Sequence, residues 1–288
     1  RITLDEAQTK RLHLIGVAAY RPVNVAFLLD TTPDSDAIMA VTGHFSEIVQ
    51  QLPTRLPGHA MQYGLATYDD YAYGSFGYSS SGDHPFTLHH QMTADTAAIQ
   101  ASLAGLGVHF GGDATDGAME ALYQSLTGTG YDQNCDGLYE PSTDILPFTA
   151  SASDPFSGTA GGSGSGGGVI GGLGFQAHAK PVIVYITDNP LRDPDRGDPT
   201  PGGCPIDAGS SDVATAAEAI NATLVGIGFG TASTAAQIEA LASATDSVAD
   251  TDGDGDEDTP LAYRWSSSAS ALGDLIVDAA EAAVSVRT

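Results

Sequence analysis

Basic residues are what this sequence has least of. Only 10 lysines and arginines stand against 36 aspartates and glutamates, a formal net charge of −26 over 288 residues. Nucleic acid and anionic membrane surfaces would repel such a chain, which argues against both as partners. The same balance suits a divalent cation, a basic partner or a salt-tolerant surface, and a solubilising acidic coat accounts for most of the exposed acids. Cysteine is nearly absent: Cys135 and Cys204 lie in Gly/Asp/Pro-rich loop sequence, and whether they pair stays open at this level. No apolar run is long enough to span a bilayer, so no membrane insertion is expected. No signal peptide stands at Arg1, as in a mature or excised segment. Scarce lysine, Asp-Gly repeats and Gly/Ser-rich stretches together predict an extracellular or cell-surface location.

What is present is an alternation of strands and helices. "VNVAFLLD" (23–30) and "KPVIVYITD" (180–188) are continuous apolar runs, the signature of strands buried on both faces, and each ends in an aspartate. "DAIMAVTGHFSEIVQQL" (36–52) has a helical period that Pro53 is expected to end. "MQYGLATYDD" (61–70) reads as a strand and "HPFTLHHQM" (84–92) as an antiparallel edge strand. Helices are expected over "TADTAAIQASLAGL", with Thr93 as N-cap, and over 113–126, 210–222, 234–244 and 268–286; short strands fall at 223–230 and 261–265. The pattern predicts one α/β domain over 23–286 behind a lead-in segment, 1–22. Its core is a doubly wound, mostly parallel sheet with one antiparallel edge strand and helices on both faces. An insertion at about 130–178 carries the glycine-rich "GTAGGSGSGGGVIGGLG".

In such sheets ligands bind at the carboxyl ends of the strands. The residues collected there are Asp30, Thr32 and Asp34 after the first strand, Asp70 after the second, Asp113 and Asp116 before a helix, and Asp188. Several carboxylates in contact repel one another, and burial worsens the repulsion, so protons or a cation must neutralise them. Oxygen ligands without His or Cys select magnesium, calcium or manganese. For single residues a blander role exists, since Asp36 and Asp113 would serve as helix N-caps.

"DTTPD" (30–34) resembles the Asp-x-Ser/Thr-x-Ser motif of von Willebrand factor type A domains, and "DATDGAMEALYQ" (113–124) looks like a stretch of integrin β-subunit I-like domains. "TYDD" (67–70), "FTLHHQMTAD" and "VIVYITD" (182–188) are similar to that family's strands. The resemblance implies a Rossmann-like fold. It also implies a metal-ion-dependent adhesion site at Asp30, Thr32, Asp34, Asp116 and Asp188, filled by Mg2+, Ca2+ or Mn2+. A neighbouring calcium site is implied at Asp70, Asp113 and the carbonyl of Thr115. Asp34 stands where serine is usual. The acidic pair of the other flanking site falls on Ala37 and Ile38, so that site is missing or rebuilt around Asp36.

Two further stretches suggest auxiliary Ca2+. "DTDGDGDED" (250–258) begins like an EF-hand loop, with Asp250, Asp252 and Asp254 at alternate positions and Asp256 and Asp258 behind them, but Leu261 stands where glutamate is usual. "DQNCDG" (132–137) repeats the pattern with Asp132, Asn134 and Asp136. "GIGFG" (226–230) lacks the full dinucleotide-binding spacing, and no Gly-x-Ser-x-Gly elbow occurs. "YAYGSFGYSSSGDH" (71–84) has recognition-loop chemistry, which makes Tyr71, Tyr73, Phe76 and Tyr78 candidate ligand contacts, or else aromatics packed inward. The expected function is non-enzymatic: a bound divalent cation takes a carboxylate from a partner protein. The rivals are a metal-dependent hydrolase, with His109 as its one candidate base, and a calcium-stabilised spacer.

Overall fold

The computed structural model describes residues 20–32, 36–148, 170–265 and 269–285. Asp34, most of the lead-in segment and most of the glycine-rich stretch lie outside the described residues. Strands β1 (Val23–Asp30), β2 (Met61–Tyr68), β3 (Thr87–Thr93), β4 (Lys180–Thr187) and β5 (Thr223–Gly228) alternate with helices α1 (Asp36–Arg55), α2 (Thr96–Ala104), α3 (Ala118–Thr127) and α4 (Ser210–Ile220). Helix α5 (Ala232–Ala244), the short strands β6 (Val248–Ala249), β7 (Thr259–Pro260) and β8 (Ala262–Arg264), and α6 (Ala269–Ser285) follow. The main sheet has the order β3-β2-β1-β4-β5-β8. β3 pairs antiparallel with β2, and the remaining neighbours are parallel. This is the expected doubly wound α/β architecture with one antiparallel strand at its edge.

Side-chain alternation along β1 divides the core. Val25, Phe27 and Leu29 pack with Phe45 and Ile48 of α1 and with Leu272 and Ile276 of α6. Ala26 and Leu28 face Leu122 of α3, Val213 of α4 and Ile238 of α5. Asp30 continues the second series, which aims it at the layer that α3 enters. β1 lies between β2 and β4, where strand order reverses, so its carboxyl end opens at the switch point. No helix among the described residues is long and apolar enough to cross a membrane.

Several boundaries differ from the sequence reading. α1 runs through Pro53 to Arg55, because a proline in the last turn forfeits a single backbone bond and Leu56 N–H still donates to Leu52 O at 2.9 Å. The N-cap of α2 is Asp95, which accepts from Ala98 N–H at 3.0 Å, while the Thr93 hydroxyl accepts from Asp95 N–H. α3 begins at Ala118, so Asp113 is no helix cap, and residues 113–117 are free to form a loop. β6 and β7 pair antiparallel and close residues 250–258 into a hairpin. Cys135 and Cys204 form a disulfide, and the backbones of Asp132 and Cys204 bond each other in both directions at 2.8 Å.

Phe45 meets Phe27 and Tyr63 edge-on, at centroid distances of 5.5 and 6.3 Å. Phe45→Ala should therefore cost about 3–5 kcal/mol in urea unfolding. A cost below about 1 kcal/mol would contradict this packing.

Candidate metal centre

Asp30 sits at the last position of β1, fully buried. Asp188 follows β4 directly, and Asp116 lies in the loop before α3. One carboxylate oxygen from each of the three lies within 4.8 Å of the others. Residues 72 positions or more apart, such as Asp116 and Asp188, meet because the backbone clamps them. Asp116 N–H donates to Pro190 O at 3.0 Å and Arg192 N–H donates to Asp116 O at 2.9 Å. Leu191 between them is gripped by the Gln237 side chain of α5, which accepts from its N–H and donates to its carbonyl. Gly117 N–H donates to Asp69 O at 2.9 Å, tying the same loop to the end of β2.

Thr32 completes the near side. Its N–H and hydroxyl donate to Asp30 Oδ1 at 2.8 and 2.6 Å. The Asn189 amide donates to Thr32 Oγ1 at 3.3 Å and also bonds the Asp116 carboxyl. Thr187 Oγ1 lies 3.4 Å from Asp30 Oδ2. Asp116 Oδ2 is buried and has no hydrogen-bond partner. Burial pushes the Asp116 carboxyl well above the usual range, and the charge and contact of Asp30 push it further, against the Asn189 amide. A buried oxygen without a donor, beside two more carboxylates, fits a hard cation. Four of the five residues expected at this site are thus described: three carboxylates meet, Thr32 bonds one of them, and Asp34 is outside the described residues.

The three groups of the expected neighbouring site also meet. Asp70 Oδ2, Asp113 Oδ1 and Thr115 O do converge, but on Nη2 of Arg192, at 3.0, 2.6 and 2.7 Å. A guanidinium nitrogen lies among these three oxygens. Burial still pushes the Asp70 carboxyl up to about 7, against the neighbouring guanidinium charge.

The aromatic loop divides in two. Tyr71 is 2% exposed and its hydroxyl donates to Glu120 at 3.3 Å, so it belongs to the core rather than to a ligand surface. Phe76 is turned inward against the Arg192 guanidinium, 4.6 Å from ring centroid to Cζ. Tyr73 and Tyr78 are exposed, 51% and 44%. Asp83 staples this loop to residues 107–112: it accepts from Tyr78 N–H through one oxygen and from Phe110 and Gly111 N–H through the other. A Cβ on Gly112 would lie 2.2 Å from Phe76 O, so only glycine permits this approach. Phe110, 71% exposed, stacks edge-on with Tyr78, and a Cβ on the next residue, Gly111, would lie 3.5 Å from Thr32 Cγ2. His109 donates its backbone N–H to Thr31 O, and its Nδ1 lies 2.9 Å from Asp69 Oδ2, a bond that raises its pKa.

Both calcium-like loops fold as nested turns. Asp132 Oδ2 accepts from Gly137 N–H and Asp136 Oδ1 from Leu138 N–H. Asp250 accepts from Gly253 and Gly255 N–H. Asp250, Asp252 and Asp254 bring oxygens within 4.8 Å of one another, all exposed, and Asp256 and Asp258 stand outside that group.

The reading of the sequence missed Asn189, Arg192, Asp83 and Phe110. Arg192 carried one signal: it is among the few basic residues, set in the acidic run "DNPLRDPDRGD" directly after β4.

No family model matches the chain, and no curated protein matches it. Among solved structures it is similar to proximal thread matrix protein 1 (PTMP1) from the mussel byssus. Two structures of that protein, one of them crystal form 2, share 11% identity with this chain, with TM-scores of 0.47 and 0.46. The alignments cover 92% of this chain and 47% and 46% of those chains, so this chain spans about half their length.

Burial also pushes the Glu120 carboxyl up to about 7, against the Gln124 and Ala208 donors. Asp116 and Glu120 therefore keep protons in the folded chain at a pH where the unfolded chain has released them. Their contribution to stability is full near pH 4 and is lost as pH rises towards about 7. The contribution of Glu120 alone is on the order of 3 kcal/mol. In chelator, the melting temperature should be higher at pH 5 than at pH 8, and Glu120→Gln should narrow the gap. Equal or reversed values in differential scanning calorimetry would refute this.

Proposed function

We propose that this chain is a metal-dependent protein-binding module of von Willebrand factor A type, close to integrin β I-like domains. Its ligand is a carboxylate on a partner protein. The observation that carries this reading is the meeting of Asp30, Asp116 and Asp188, together with a buried Asp116 oxygen that no donor satisfies. Asp30, Asp116 and Asp188 would hold Mg2+, Mn2+ or Ca2+, with Thr32 beside Asp30 and Asp34 on the following loop as further oxygens. A bound ion would supply a Lewis-acidic position for the partner's carboxylate. The chain's own residues do the rest. Asn189 orients Thr32 and Asp116, and Gln237 fixes Leu191, whose neighbours Pro190 and Arg192 hold the Asp116 backbone. Tyr73, Tyr78 and Phe110 form an exposed aromatic rim that would contact the partner around its acidic residue.

The Cys135–Cys204 disulfide supports an oxidising, extracytoplasmic setting. The nested loops at 132–137 and 250–254 would take structural Ca2+.

Titration calorimetry with Mn2+ tests the reading. One site should disappear in Asp30→Ala and in Asp116→Asn but persist in Asp250→Ala. Asn189→Ala, which loosens an orienting contact, should weaken it by about 10–100-fold. Unchanged Mn2+ binding in Asp30→Ala and Asp116→Asn would overturn the proposal.

A further inference from the structure

Among the described residues Arg192 is the largest of the fully buried side chains, in a protein with few basic residues. Its Nη2 carries two hydrogens but faces three oxygens, Asp70 Oδ2, Asp113 Oδ1 and Thr115 O, all within 3.0 Å. Nη1 donates to Pro199 O at 3.0 Å, and the guanidinium plane lies over Phe76. The oxygens come from the loop after β2 and the loop before α3, while the arginine itself follows β4. Two carboxylates and a carbonyl crowded around one point are a donor set for a hard divalent cation, which accepts more oxygens than a nitrogen with two hydrogens can satisfy.

We infer that the Arg192 guanidinium is a built-in cation that takes the place of a second divalent ion and locks the Asp116 loop in position. Arg192 N–H donates to the Asp116 carbonyl, so the residue that neutralises Asp70 and Asp113 also holds a ligand of the candidate centre. Arg192 is thus a positioning residue, and the centre would assemble on one ion, without a calcium ion alongside. Only that last consequence rests on the function proposed above; the clamp itself involves Asp70, Asp113 and Thr115.

Removing the side chain should empty a ready-made oxygen nest. Bound calcium is counted by native mass spectrometry, alongside melting temperature with calcium and with chelator, in the full chain. Arg192→Ala should bind one more calcium than the wild type and regain in calcium the melting temperature it loses in chelator. Adding Asp113→Asn should abolish that gain. Arg192→Lys, which keeps the charge but not the fork, should take up no extra ion. Asp113→Asn in the otherwise unchanged chain folds with one exposed charge altered, and it should leave the calcium count unchanged. The inference is overturned if Arg192→Ala gains no ion, if the gain survives Asp113→Asn, or if Asp113→Asn alone loses one. Should Arg192→Ala fail to fold even in calcium, the single Asp113→Asn count decides. Asp30→Ala, counted in parallel, reports separately on the candidate centre, so either proposal can fail without the other.

Discussion

Mutual repulsion among Asp30, Asp116 and Asp188 is the constraint around which the carboxyl edge of the sheet is organised. Three carboxylates with oxygens inside 4.8 Å of one another, two of them buried, cannot all be charged in isolation. Natural folds do not assemble such a group unless something returns the cost. Protons return part of it, as the raised Asp116 carboxyl shows. A divalent cation returns more, because it satisfies several oxygens at once. The surrounding structure is consistent with holding those oxygens still rather than with separating them. Asn189, Thr32 and the backbone of residues 190–192 all converge on the group, and none of them adds a positive charge to it.

A second group of acids a short distance along the same edge is handled in the opposite way. Asp70 and Asp113 meet a guanidinium supplied by the chain itself, buried and held on a second side by Pro199 and Phe76. Arginine suits this place because it stays charged and its fork reaches several acceptors at once. The two acidic clusters thus differ in a simple respect: a guanidinium of the chain itself bonds Asp70 and Asp113, whereas Asp116 Oδ2 is buried with no hydrogen-bond partner among the described residues. That contrast, rather than acidity as such, distinguishes a structural ion pair from a candidate binding position in a chain carrying −26.

Much of this was legible in the sequence. The strands at 23–30 and 180–187 are buried at every position, and the unbroken apolar stretches inside them, 25–29 and 182–186, mark central parallel strands. Their terminal acids, read with the order of strands and helices, place Asp30 and Asp188 at one edge, and a motif resemblance adds Asp116. Other features resisted for physical reasons. β6 and β7 are two residues each, too short to show a period. Tyr71 turns inward because a buried Glu120 accepts its hydroxyl, a contact 49 residues away in the chain. Phe110 reaches the rim because Asp83 captures its N–H, and no local pattern announces such a staple. Arg192 shows the limit most clearly. Its composition and setting hinted at a partner, but the convergence of Asp70, Asp113 and Thr115 on one nitrogen depends on three separate loops.

The central claim is that Asp30, Asp116 and Asp188 share one bound ion. Anomalous diffraction from crystals saturated with manganese tests it most directly. A single strong peak among the three carboxylates, with none between Asp70 and Asp113, is the predicted result. A map with no density among Asp30, Asp116 and Asp188 at saturating manganese would contradict it.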